Sequence, residues 1–212
     1  MGAVARRLPP AAVLLAVVLP GAACADDPDP FADLRAAAWT EYMSPLPPVY
    51  TLGADAPDFH LPVLGREGVG PDSIRLSDYR GRVVVLDFWH SGCGPCVVEH
   101  ETLNRVAERM ARRGVAFLGI NSQDSPVSLA RFEAAYGPTS YPNLRDVHRM
   151  VGLRYLQVGW PLHVVVDREG RVAWWAQGGP VDEDRLLRAI RDVLRGRRPE
   201  PAPRTVWGDE GP

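Results

Sequence analysis

The ten residues Asp87, Phe88, Trp89, His90, Ser91, Gly92, Cys93, Gly94, Pro95 and Cys96 narrow the folds open to this chain more than any other stretch. Just before them stand Val83, Val84, Val85 and Leu86, an unbroken apolar run that suits a strand buried on both faces. Just after them Leu103, Val106, Ala107 and Met110 recur at helical spacing, with Gly114 as a stop. A central strand therefore runs directly into a helix at a C-x-x-C. At that junction the unpaired N–H groups and the dipole of the helix start favour the thiolate of Cys93, the form that attacks a disulfide. Cys96 lies one turn deeper, placed to resolve a mixed disulfide on Cys93.

The rest of the chain extends this pattern. Residues 59–64 read as a strand, 65–73 as a loop, 82–89 as the apolar strand, 93–113 as the helix and 115–121 as the next strand. Ser125 followed by Pro126 predicts a capped helix ending near Tyr136 and Gly137, and Asp146 caps another to about Tyr155. Strands at 162–166 and 171–175 flank the turn Asp167, Arg168, Glu169, Gly170, and 181–194 forms an amphipathic closing helix. Strand, helix, strand, helix, then hairpin and helix predicts an α/β domain: a central mixed sheet flanked by helices on both faces.

Four segments follow. In 1–25, Arg6 and Arg7 precede an apolar run over 11–19 and the small residues Gly21, Ala22 and Ala23, the order of an export signal. The run falls short of the about 20 residues that span a bilayer. Cys24 has two readings, the lipidated first residue of a mature lipoprotein or part of a discarded cleavage site. Both place the protein outside the cytoplasm in a bacterial envelope, tethered or free. Residues 26–52, with Pro45, Pro47 and Pro48, form a spacer; 53–195 is the domain; 196–212 is a proline-rich tail expected to be disordered.

A net charge of −2 offers no electrostatic case for nucleic acid. With Cys24 lipidated or removed, only Cys93 and Cys96 remain as thiols, to pair with each other, a substrate or a metal. A purely structural bridge over so short a loop would constrain the unfolded chain little. Structural zinc wants four ligands; His90, Cys93, Cys96 and His100 could provide them only on paper, with no second C-x-x-C. Neither a metal nor another cofactor is expected.

Further residues carry a family resemblance: Ala56, Pro57, Asp58 and Phe59; Leu76, Ser77, Asp78, Tyr79, Arg80 and Gly81; Phe88 with Trp89; the Cys93, Gly94, Pro95, Cys96 motif; Glu99; and Trp160 with Pro161 before a strand ending at Val166 and Asp167. In these the chain resembles the thioredoxin-like proteins of the TlpA/ResA group, redoxins that include membrane-tethered reductases of cytochrome c maturation. The Ala-Pro-Asp-Phe opening is shared with peroxiredoxins, whose proline and threonine ahead of the peroxidatic cysteine are absent.

The resemblance implies a thioredoxin fold with an N-terminal β-hairpin extension, and a monomeric thiol-disulfide oxidoreductase using Cys93 and Cys96. Its substrates would be proteins with thiols or disulfides and its electron donor a membrane protein. Pro161 resembles the cis-proline that faces the disulfide, with the Trp160 backbone open to an extended substrate. Asp87 matches the buried acid of ordinary thioredoxins and Glu99 that of the TlpA/ResA group; either can serve as the base for Cys96. Departures are Gly92 in place of a tryptophan, expected to widen access to Cys93; His90 at a usually small position; and His100 and Glu101 in place of an apolar residue and a proline. A charged His90 or His100 would stabilise the thiolate. A disulfide oxidase, and a copper carrier using Cys93, Cys96 and a histidine, are the alternatives.

Overall fold

The computed structural model describes residues 52–65 and 67–200 of the 212. Expectations about the export segment, Cys24, the spacer and the end of the tail lie outside the described residues. Seven strands form one sheet: β1 (His60–Gly65), β2 (Gly68–Arg75), β3 (Val84–Trp89), β4 (Ala116–Asn121), β5 (Asn143–Arg145), β6 (Leu162–Val166) and β7 (Val172–Gln177), in the order β2-β1-β5-β4-β3-β6-β7. The helices are α1 (Gly94–Ala111), α2 (Pro126–Tyr136), α3 (Met150–Arg154) and α4 (Glu183–Leu194), with short 3-10 turns at Leu76–Tyr79 and Val147–Arg149. β3 runs parallel to β4 and antiparallel to β6, so the sheet is mixed.

Every residue of β3 is buried, as its continuous apolar run requires. Alternate side chains go to opposite faces. Val84, Leu86 and Phe88 join Tyr155, Val151 and Leu162 in one core; Val83 and Val85 join Leu103, Val106 and Met110 of α1 and Leu186 and Ile190 of α4 in the other. By this alternation Asp87 falls on the α1–α4 side, which places a carboxylate inside an apolar layer. α1 runs unbroken through Glu101, without the kink a proline would impose.

Three segments differ from the reading by pattern. The loop expected over 65–73 is largely β2, which pairs antiparallel with β1 and makes the hairpin. Most of its side chains are exposed, so no apolar alternation marks it; Pro71 is tolerated because the strand lies at the sheet edge. β5 is three residues long, too short for a period-two signal, and is held by β4 and β1. The helix expected from Asp146 to Tyr155 is broken: His148 and Arg149 take left-handed φ of 62° and 59°. The Asp146 carboxylate instead accepts the Val151 and Gly152 N–H groups at 3.0 and 2.9 Å and caps α3.

Trp89 is fixed beside the motif by its indole N–H, which donates to Asn143 Oδ1 at 2.9 Å, and by Phe132 of α2 at 4.9 Å between ring centroids. Gly119 makes room for this, since a Cβ there would come within 2.3 Å of Asn143 Oδ1.

Candidate active site

Cys93 is the N-cap of α1, Pro95 sits in its first turn, and Cys93 and Cys96 are joined as a disulfide. Cys93 Sγ also accepts the Cys96 N–H at 3.1 Å, so the sulfur lies among the unpaired N–H groups of the helix start. Both sulfurs pack with Trp89, Leu129 and Phe132, and Trp160 closes against this cluster. The Trp160–Pro161 peptide is cis, Pro161 is buried, and the Trp160 ring lies between His90, 4.8 Å away edge-on, and the Arg149 guanidinium at 4.6 Å.

The loop ahead of the motif is pinned from β4. Buried Asp124 accepts the Ser91 N–H at 2.8 Å and the Ser91 hydroxyl, and is itself held by Asn121 Nδ2 at 2.7 Å. With Gly92 beside it, Cys93 is 6% exposed in the disulfide. The Gly92 N–H donates to His90 Nδ1 at 3.2 Å. Burial, opposed by Asp124 and aided by Arg149, holds His90 below the usual histidine pKa. His100 faces Gly137 O at 3.1 Å and the Phe132 ring, and burial lowers its pKa as well. It serves the packing of α1 on α2, and the four candidate zinc ligands do not form a set.

Asp87 and Glu99 are both buried, and neither is a solvated acid or an arginine partner. They meet around His163, which stands opposite Asp87 in the β3–β6 register. His163 Nε2 lies 3.0 Å from Glu99 Oε1, and Nδ1 lies 3.5 Å from Asp87 Oδ1. These are ion-pair distances without hydrogen-bond alignment: neither of these carboxylate oxygens nor either ring nitrogen has a directed partner. The other carboxylate oxygens are satisfied, Asp87 Oδ2 by the Tyr141 hydroxyl at 2.8 Å and Glu99 Oε2 by the Val181 N–H at 2.6 Å.

Burial pushes the Asp87 carboxyl up to about 6; His163 opposes this, Glu99 adds to it, and the Tyr141 hydrogen bond opposes it. For His163 burial acts downward, but Glu99 and then Asp87 outweigh it and raise the ring to about 8. Tyr141 is held well above its ordinary value by burial and by Asp87, so it stays a neutral donor. Pattern reading missed His163 and Tyr141. The available signal was a lone histidine in the apolar strand Leu-His-Val-Val-Val directly after Pro161.

These values set a sign for stability against pH. His163 binds its proton more tightly in the folded chain than at the ordinary 6.5, so its contribution is full below pH 6.5 and is lost as pH rises through 8. Asp87, raised from 3.8 to about 6, acts the same way at lower pH, its contribution lost as pH rises through 6. Urea unfolding of the oxidised protein is therefore expected to show stability falling by about 2 kcal/mol between pH 6.5 and 8.5. A rise over that window would contradict the buried His163 ion pairs.

A disulfide of the C-x-x-C type at the start of a helix, fed by the central strand of a thioredoxin fold, defines a thiol-disulfide oxidoreductase. Comparison with known proteins agrees. Residues 52–175 match the AhpC/TSA family, and the chain belongs to that family. It is 33% identical over 143 residues to the thiol-disulfide oxidoreductase ResA of Geobacillus kaustophilus, covering 66% of this chain and 78% of the relative. It is 33% identical over 150 residues to the thiol:disulfide interchange protein HelX of Rhodobacter capsulatus, covering 70% and 80%. A crystal structure described as a thiol:disulfide interchange protein DsbE from Chlorobium tepidum superposes with a TM-score of 0.59 at 30% identity, covering 68% of this chain and 97% of that one. The chain is thus an enzyme of the ResA/DsbE type acting on protein thiols and disulfides.

Proposed function

We propose that this enzyme is an exported reductase of protein disulfides, with a role akin to cytochrome c maturation. Cys93 is its nucleophile, Cys96 its resolving thiol and Glu99 the base for Cys96. The observation that carries this reading is the Cys93–Cys96 disulfide at the start of α1, with a buried acid further along the same helix. Glu99 is three residues beyond Cys96, a spacing that brings side chains together on one helix face. Asp87 is the second acid of the site and shares His163 with the first.

The wall formed by Trp160 and Pro161, flanked by exposed Met150 and Val158, suits an extended polypeptide substrate. Export rests on the order of residues in 1–25, and attachment to the membrane on Cys24 or the apolar run. Among the described residues no helix is long and apolar enough to cross a membrane. A tether would raise the effective concentration of a membrane-borne electron donor. The domain proposed for the catalysis is 53–195, acting as a monomer without cofactor. The copper alternative would use the reduced form of the same pair, Cys93 and Cys96, with a histidine.

The test is the reduction potential of the Cys93–Cys96 couple in the full-length protein, equilibrated with defined thiol-disulfide buffers. The expected value lies near the thioredoxin level of about −270 mV; a value near about −120 mV would make the protein an oxidase instead.

A further inference from the structure

In the layer between β3, β6 and α1, one imidazole stands between two buried carboxylates, each addressing a different ring nitrogen. One polar atom from each of the three residues lies within 4.8 Å of the other two, and the two carboxylates approach different nitrogens of the ring. An imidazolium carries a proton on each nitrogen and so presents positive charge to both carboxylates at once. Two like charges confined in so dry a space cannot both persist without a cation between them. His163 is the one basic side chain in the cluster of Asp87, Glu99 and His163.

We propose that His163 is a positioning residue of the redox site: paired with the Glu99 carboxylate at 3.0 Å, it holds Glu99 as the acceptor of the Cys96 proton. This rests on the reading of Glu99 as the base. In the resolving step the Cys96 thiol passes its proton to Glu99, and the Cys96 thiolate attacks Cys93 Sγ. The Cys93–substrate S–S bond breaks as the Cys93–Cys96 bond forms. The substrate sulfur leaves as a thiolate, reduced by two electrons while the cysteine pair is oxidised, and takes a proton from water. When the pair is reduced again, Cys96 departs as a thiolate and recovers the proton from Glu99.

Among the described residues, the groups facing His163 are few. β3 brings Asp87 with Tyr141 behind it, and α1 brings Glu99. Opposite His163, β7 places Ala176, and α4 packs this layer with Leu186, Leu187 and Ile190. The charge balance is therefore set within the triad, with neutral Tyr141 as donor.

The test uses the reduced full-length protein and an excess of 5,5′-dithiobis(2-nitrobenzoate). Attack by Cys93 and resolution by Cys96 each release one coloured thiolate and appear as successive phases. His163→Gln is expected to move the pH midpoint of the second phase upward by about 1 to 3 units and to slow it about tenfold or more at pH 7, leaving the first phase within about threefold. Adding Asp87→Asn to His163→Gln removes the like charge and is expected to restore much of the second phase. A packing role for His163 predicts instead that the double variant is slower still.

A His163→Gln profile that superimposes on the wild type overturns the proposal. If Glu99→Gln resolves as fast as the wild type, the base assignment fails, and the role of His163 fails with it. If Glu99→Gln is slow while His163→Gln is unchanged, the role of His163 alone fails. Should His163→Gln not fold, nitrogen NMR of the imidazole in the wild type decides: both nitrogens protonated at pH 7 is expected, and a neutral ring there overturns the proposal.

Discussion

Replacement of Cys93 by serine is expected to abolish disulfide exchange, lowering the dithiothreitol-driven reduction of insulin by about three orders of magnitude or more. Cys93 is the N-cap of α1, and its sulfur is the one set among the free N–H groups of the helix start. Serine is itself a favoured N-cap, so the helix keeps its start and the fold keeps its stability. The companion variant Cys96→Ser is expected to behave differently. Cys93 still attacks, but nothing releases the substrate, so a mixed disulfide with the client accumulates and is visible on a non-reducing gel. Exchange that survives Cys93→Ser would remove Cys93 as the nucleophile. Free turnover by Cys96→Ser would remove the resolving role of Cys96.

Glu99→Gln is expected to slow resolution by Cys96 about a hundredfold while leaving attack by Cys93 within about threefold, read in single-turnover experiments with a small disulfide. The substitution separates two roles that the geometry combines. Glu99 Oε2 accepts the Val181 N–H at 2.6 Å and so ties the segment entering α4 to α1, a structural task that the glutamine oxygen can continue. Taking a proton from Cys96 needs the carboxylate. A melting temperature close to that of the wild type together with slow resolution assigns the loss to chemistry. Unchanged resolution would leave Glu99 with the structural task alone. Asp87→Asn is expected to cost less, because Asp87 Oδ2 is already taken by Tyr141 and its charge acts through the shared histidine.

Legibility from the sequence followed the strength of local signals. Long periodic or continuous apolar segments announced β3, α1, β4, β6 and α4, and Ser125 with Pro126 announced the start of α2. β2 and β5 gave no such signal, since one lies exposed at an edge and the other has three residues; both exist because neighbouring backbone N–H and C=O groups needed partners. The sequence by itself determined that Cys93 and Cys96 bracket a helix start behind a buried strand, because strand period, helix period and capping are all local properties. It also determined that Asp87 and Glu99 were candidate acids at set distances along the chain from the cysteines. What the acids face was decided only by tertiary structure. His163 is 76 residues from Asp87 in the chain and directly opposite it in the sheet, by the antiparallel register of β6 on β3. Tyr141 arrives from the turn before β5, and Val181 from the entry to α4. A carboxylate's charge in the interior depends on which groups share its dry space, and strand register and helix packing assemble those groups from distant parts of the chain.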